Sequence, residues 1–165
     1  MQVYVTKLTT FDLLLKACKV TSGLDMKRPD FQRIYQSGHS PIYTQIFWID
    51  MVDIFTFVSN HLARHKIGVE HYVKSNREDR GGDDKADRWT PVNHSMLINA
   101  QALINLSRRR LCNKAHIETI NIMQAIKEAV KEKDPDLAGC MVPECIYRGA
   151  CYELTPCNKG SISKF

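Results

Sequence analysis

The chain has no run near the ~18 apolar residues that a membrane span needs, and its first twenty residues offer no leader pattern. In "MQVYVTKLTTFDLLLKACKV" the short apolar stretch is broken by Asp12 and Lys16 and has no small-residue cleavage pattern after it. No Gly-rich dinucleotide loop occurs, which counts against a Rossmann flavoprotein. Internal repeats and low-complexity segments are also missing, which excludes solenoids and whole-chain disorder. The expected location is therefore cytoplasmic, where the six cysteines are read as thiols or metal ligands and not as disulfides.

What remains is an ordinary globular composition, 44% hydrophobic and 25% charged over 165 residues, enough for one domain with its own core. Lys and Arg exceed Asp and Glu by 23 to 18, a net charge of +5. Such a balance suits an anionic ligand without saying whether it is a mononucleotide, a cofactor or a polymer. A nucleic-acid surface is disfavoured because acidic residues interrupt the basic runs, as in "NREDRGGDDKADR", and aromatics are not interleaved with the cations.

Along the chain, "MQVYVTK" alternates as a strand and "TTFDLLLKACKVTSG" reads as a helix with a Thr cap and a Gly stop. A turn-rich connector leads to a predicted strand at 43–51, "YTQIFWIDM". Asp50 or Asp53 is then expected to cap a helix, "DIFTFVSNHLARH", that delivers Arg64, His65 and Lys66 at its end. "IGVEHYVKS" is strand-like, "NREDRGGDDKADRWTP" is a polar loop, and 92–116 and 117–133 are predicted as two long helices. On the first of these, Asn99, Leu103, Leu106 and Arg110 fall on one face, with Asn105 and Arg109 beside it. Polar groups set among leucines must be paired internally or kept for a ligand. Arg108, Arg109 and Arg110 also fit a solvated helix end, as charge runs usually do.

"LARHKIG" after a strand and helix, "SNR" after the next strand, and "INAQALINLSRRRLCNKAHIE" on a long helix together resemble the flavin-dependent thymidylate synthases. That family's signature opens Arg-His-Arg at the end of such a helix. Its later helix carries Asn, Asn six residues on, and Arg five residues further, a spacing that Asn99, Asn105 and Arg110 reproduce, with Ala115 and Glu118 continuing the match. Upstream, Ser40 and Pro41 begin a segment similar to the family's first strand and helix, so the resemblance covers roughly residues 38–78 and 92–134. Several positions depart from it. Lys66 stands where the family has Arg, and so lacks the planar fork. Ser75 and Arg77 match only with one residue inserted, and Glu70 is out of register with the family's Asn-Glu pair. The linker between the blocks is short, leaving Arg80 or Arg88 to replace a phosphate-binding arginine.

The resemblance implies an α+β single domain over 1–134, with a central, mostly antiparallel sheet packed by long helices and a Cys-rich extension over 135–165. It implies one-carbon transfer from methylenetetrahydrofolate to C5 of a pyrimidine deoxynucleotide (dUMP to dTMP), with FAD as cofactor and NADPH as reductant. A homotetramer with sites between subunits is implied as well. Carried over residue by residue, Arg64, His65, Lys66, Asn99 and Asn105 face the flavin. Ser75 and Arg77 hold the nucleotide phosphate, and Arg110 sits against the pyrimidine as the catalytic residue. The altered signature leaves hydroxymethylation of dUMP or dCMP as an alternative, beside a basic, metal-containing nucleic-acid-binding protein and a member that keeps the fold without catalysis.

Beyond the matched region, Cys140, Cys145, Cys151 and Cys157 lie within eighteen residues, a spacing that admits a tetrahedral zinc site without the tight knuckles common in such sites. Free thiols packed as small apolar groups are the other reading. Cys18 and Cys112 are expected in the core.

Overall fold

A computed structural model describes residues 1–23, 25–83 and 85–157; the last eight positions of the expected extension lie outside the described residues. Four strands form one antiparallel sheet in the order β1-β2-β4-β3: β1 (Gln2–Lys7), β2 (Ile46–Phe55), β3 (Val69–Val73) and β4 (Pro91–Asn99). The helices are α1 (Phe11–Ser22), α2 (Phe31–Ser37), α3 (Thr56–Ala63), α4 (Ala100–Arg110), α5 (Ile117–Lys133), α6 (Pro135–Cys140) and α7 (Glu144–Arg148). The α+β class with an antiparallel sheet is as the sequence implied. No described helix is long and apolar enough to cross a membrane.

Register fixes which side chains share a face. Val5, Ile49, Met96 and His71 stand opposite one another across the sheet, as do Lys7, Phe47, Ile98 and Val69, and this face looks into the core. Tyr4, Asp50, Ser95 and Tyr72 align on the other face, where Tyr4 and Tyr72 are exposed. Phe47, Ile49, Met96, Leu103, Leu106 and Ile126 are all at most 1% exposed, and each such burial stabilises by ~1.5–3 kcal/mol.

Three expectations are corrected. Residues 92–99 are strand β4, not the start of a helix: Val92, His94, Met96 and Ile98 are buried alternately, a period of two. Asn99 then ends the strand and caps α4, its Oδ1 accepting from the Ala102 amide at 2.9 Å, so it does not lie on the helix face with Leu103 and Arg110. The second predicted strand starts later and runs longer, because 40–44 form a 3-10 turn. Within β2, two residues between Met51 and Ile54 face one residue of β4. Asp53 takes the extra position at φ 56° and its amide donates to Asn93 Oδ1 at 3.2 Å, a bulge that lets both Met51 and Ile54 face the core. Neither Asp50 nor Asp53 caps α3, which follows Phe55 with no side-chain cap. Third, the connector holds a helix, α2, capped by Asp30 through the Arg33 amide and stopped by Gly38 at φ 65°.

Asp134 joins β1 and α2 to the start of α6. Wholly buried, it accepts from Lys7 Nζ and the Tyr35 hydroxyl at Oδ2, both at 2.7 Å, and caps α6 through the Leu137 amide. The helix it caps buries Leu137, Ala138 and Cys140 in the same core as the sheet.

Candidate functional site

Helices α3 and α4 deliver their C-terminal ends to one place, the preferred position for cations on a helix dipole. Arg64 is the C-cap of α3, and Arg108, Arg109 and Arg110 close α4. The triplet divides. Arg108 makes a two-pronged ion pair with Glu144 of α7, 2.6 and 2.8 Å, which holds its pKa up and pulls that of Glu144 down. Its guanidinium also lies 4.0 Å from the centre of the Tyr147 ring, so Arg108 anchors the tail. Arg109 is exposed, with only a 3.8 Å approach to Glu153.

Arg110 turns inward. Its Nη2 donates to the His61 carbonyl at 2.6 Å, while its buried Nε has no hydrogen-bond partner among the described residues. Burial and the neighbouring Arg64 both lower its pKa, and it forms no ion pair among the described residues. Burial also lowers the pKa of His65, to about 4, helped by Arg110, His71 and Arg109. His61 shifts the same way through burial and then Arg110, Arg64, His116 and Arg88. No acidic side chain is among the causes at any of the three positions. At neutral pH the Arg64–Lys66 turn therefore presents two cations around a neutral imidazole.

Arg88 reaches this cluster over the Phe57 ring, 4.9 Å from its centre, where Phe57 meets the edges of His61, Trp89 and His116. Of the two arginines left open by the sequence, Arg88 is the one the fold brings to the cluster; Arg80 sits in the short turn 78–80 of the loop.

The turn is fastened by groups that sequence reasoning missed. Gly68, at φ 75°, gives its carbonyl to the Asn99 amide at 3.0 Å and lies so close that a Cβ would meet Asn99 Nδ2 at 2.5 Å. Because Asn99 uses Oδ1 as a cap, its Nδ2 is the side-chain group left to meet a ligand. Behind the turn, His71 contacts the His65 carbonyl through Nε2 at 2.7 Å and His94 Nε2 through Nδ1 at 2.9 Å, and His94 Nδ1 meets Ser59 Oγ at 2.9 Å. The sequence held both histidines, in "VEHYV" and "PVNHSM", but with 92–99 read as helix it gave no signal that His94 faces the core beside His71.

Other expected residues stand apart. Asn105 is exposed on α4, accepting from Gln101 at 3.1 Å. Ser75 and Arg77 leave the opposite end of β3 from the Arg64–Lys66 turn, ~16 Å along five extended residues. There Arg77 is clamped by Asp79 at 2.9 and 2.8 Å. The cysteines of the tail are also divided. Cys140 is buried, its thiol near the Gln32 carbonyl and its pKa raised to about 11 by burial and the adjacent Asp136 and Asp134. Cys145, Cys151 and Cys157 instead line a cavity of about 450 Å³ with Arg109, Arg110 and Cys112. Among the described residues no three His, Cys, Asp or Glu side chains are grouped to hold a metal, so the expected zinc ligands are not assembled. Cys18 is buried as expected, and Cys112 is only partly so.

No protein-family model matches the sequence, and no curated relative matches it. The fold does have solved counterparts. Thymidylate synthase X from Helicobacter pylori, in a crystal structure with FAD and dUMP, superposes with a TM-score of 0.71 at 16% identity, over 86% of this chain and 99% of that one. A second structure of the H. pylori flavin-dependent enzyme with the same two ligands gives 0.70 at 14% identity, over 86% and 100%.

Proposed function

We propose that this chain is a flavin-dependent thymidylate synthase, transferring a one-carbon unit from methylenetetrahydrofolate to C5 of dUMP with FAD as cofactor and NADPH as reductant. The observation that carries the reading is the Arg64–Arg110 cluster: cations gathered at two helix ends, with no ion pair to a carboxylate among the described residues and with the buried Arg110 Nε without a partner there, on the fold of an enzyme solved with two phosphate-bearing ligands.

The residues present fit a flavin. The orphaned Nε of Arg110 and the Asn99 Nδ2 are donors awaiting acceptors, and the edge of a flavin ring and the carbonyls of a pyrimidine are rich in acceptors. Arg64, Lys66 and Asn99 would hold the cofactor, with neutral His65 contributing a donor and an acceptor and no charge, while Asn105 stays outside this cluster. When bound, FAD would supply the redox chemistry that links NADPH to the transferred carbon. Arg110 does the rest of the electrostatic work: placed against the pyrimidine carbonyl, its fixed charge stabilises the negative charge that builds up as C5 becomes nucleophilic. That stabilisation is large because the guanidinium is partly buried and already oriented by the His61 carbonyl.

Ser75 and Arg77 cannot reach the same cluster along β3, so the phosphate-binding role assigned to them requires a homo-oligomer in which one subunit's 75–77 segment completes another's site. Arg88 supplies the second phosphate cation from within the chain.

Purified protein is titrated with FAD and then dUMP while the visible absorption is recorded. The product formed with methylenetetrahydrofolate and NADPH is then weighed by mass spectrometry. A flavin spectrum that shifts with dUMP and a product heavier by one methyl group are expected. A hydroxymethyl mass would redirect the assignment of product, and failure to take up FAD in the presence of dUMP would overturn the reading.

A further inference from the structure

Ser59, His94 and His71 form a file of side chains running from the core to the turn that carries Arg64, His65 and Lys66. Ser59 and His94 are 3% and 0% exposed, and His71 is half-buried on the edge strand β3. The protons in this file can be assigned by elimination. A backbone carbonyl only accepts, so His71 Nε2, 2.7 Å from the His65 oxygen, must carry hydrogen. In a neutral ring His71 Nδ1 is then an acceptor, and its neighbour His94 Nε2, 2.9 Å away, must be the donor. His94 Nδ1 is left to accept from the Ser59 hydroxyl at 2.9 Å. All three bonds point outward, from helix α3 through strands β4 and β3 and back to the residues just after α3.

The turn needs such a fastening. Arg64, Lys66 and Ile67 are exposed, Ile67 at 91%, and bury little to fix them. Its backbone is held at one side by the His65 amide on the Leu62 carbonyl and at the other by Asn99 on Gly68. Between these anchors the His65 carbonyl accepts from His71.

We propose that Ser59, His94 and His71 are positioning residues for the Arg64–Lys66 turn, a one-directional hydrogen-bond file whose last donor sets the orientation of the peptide that presents these side chains to the ligand. The structural part stands on the geometry alone, and the effect on cofactor binding rests on the function proposed above.

The test has a ligand-free arm and a cofactor arm. Long-range imidazole ¹H–¹⁵N spectra of the ligand-free protein should show the hydrogen of both His94 and His71 on Nε2, with Nδ1 bare. An Nδ1–H tautomer at either ring, or a charged ring, overturns the file. In the His71→Phe variant, and independently in Ser59→Ala should the first fail to fold, the backbone amide shifts of residues 64–68 should move. His71→Gln, which keeps a donor at the distal position, should restore them. Unmoved shifts in a folded variant overturn the positioning role whether or not the protein binds flavin. In the cofactor arm, His71→Phe should weaken FAD binding by about tenfold, the worth of one well-made hydrogen bond, with recovery in His71→Gln. Unchanged affinity beside displaced shifts would overturn the functional half of the proposal. Wild-type protein that binds no FAD would sink the function proposed above and leave the file to be judged on its spectra.

Discussion

His94 gives a test of the buried imidazole network that requires no ligand. It is wholly buried, and burial and then the adjacent His71 pull its pKa down to about 4. Protonation need not break a hydrogen bond, since Ser59 can turn and accept, so the cost is that of putting a charge in the core beside a second imidazole. The folded-state pKa lies below the ordinary histidine value, so the unfolded chain takes up the proton first. The stability this ring contributes is complete above about pH 6.5, falls as the pH drops toward about 4, and is flat below that. Between about pH 7.5 and about pH 4.5 the loss works out at about 2.5 kcal/mol, with a slope approaching ~1.4 kcal/mol per pH unit. His61 and His65 shift in the same direction, but they are present in both proteins of the comparison and cancel. Urea unfolding of wild type and His94→Gln at the two pH values isolates the effect. The variant should be less stable at neutral pH yet lose about 2.5 kcal/mol less on acidification. Parallel pH profiles for the two proteins would refute a neutral, buried His94.

Gly68→Ala should destabilise by more than ~1 kcal/mol, because φ is 75° and the new methyl would press on Asn99, and chemical denaturation reads this directly. Arg110→Lys keeps charge but loses the fork that spans the His61 carbonyl and the unpaired Nε. An affinity for dUMP with FAD lowered by about ten- to a hundredfold, measured by calorimetry, is expected. Asp134→Ala strands the buried Lys7 ammonium and the Tyr35 hydroxyl, and should cost about 3–5 kcal/mol in a thermal melt, whereas exposed Asp79→Ala should cost less than about 1 kcal/mol. Arg77→Ala should leave stability and, by light scattering, the oligomeric state unchanged while calorimetry shows weakened dUMP binding; unchanged dUMP affinity in the intact oligomer would remove Arg77 from the site.

The elements readable from sequence were those whose pattern is local. Helix α1 announces itself by stripe and Gly stop, and β1 by its alternation. Strand β4 was lost because the helical run "ALINL" extends the same apolar richness backward past Asn99, and only the alternate burial of Val92, His94, Met96 and Ile98 tells the two periods apart. Helix α2 was hidden for another reason: its buried residue, Tyr35, is answered by Asp134 from far along the chain. At the site, order and spacing located the Arg64–Lys66 turn and Arg110. They could not reveal that Arg108 serves the tail, because its partner Glu144 lies beyond any local pattern, nor that Arg110 faces inward onto the His61 carbonyl. The separation of Ser75 and Arg77 from the cluster follows from the length of β3, a quantity that a signature does not contain.

The carboxylate of Asp134 has a consequence in time as well as in space. During synthesis Lys7 leaves the ribosome long before its acceptor, which follows 127 residues later, and Tyr35 waits through 99. Until then β1 can pair with β2 but must keep its lysine in water, and α2 has no acceptor for its buried phenol. A nascent chain halted before residue 134 should therefore remain open to protease at β1 and α2, and resistance there should arrive in one step as Asp134 and α6 emerge.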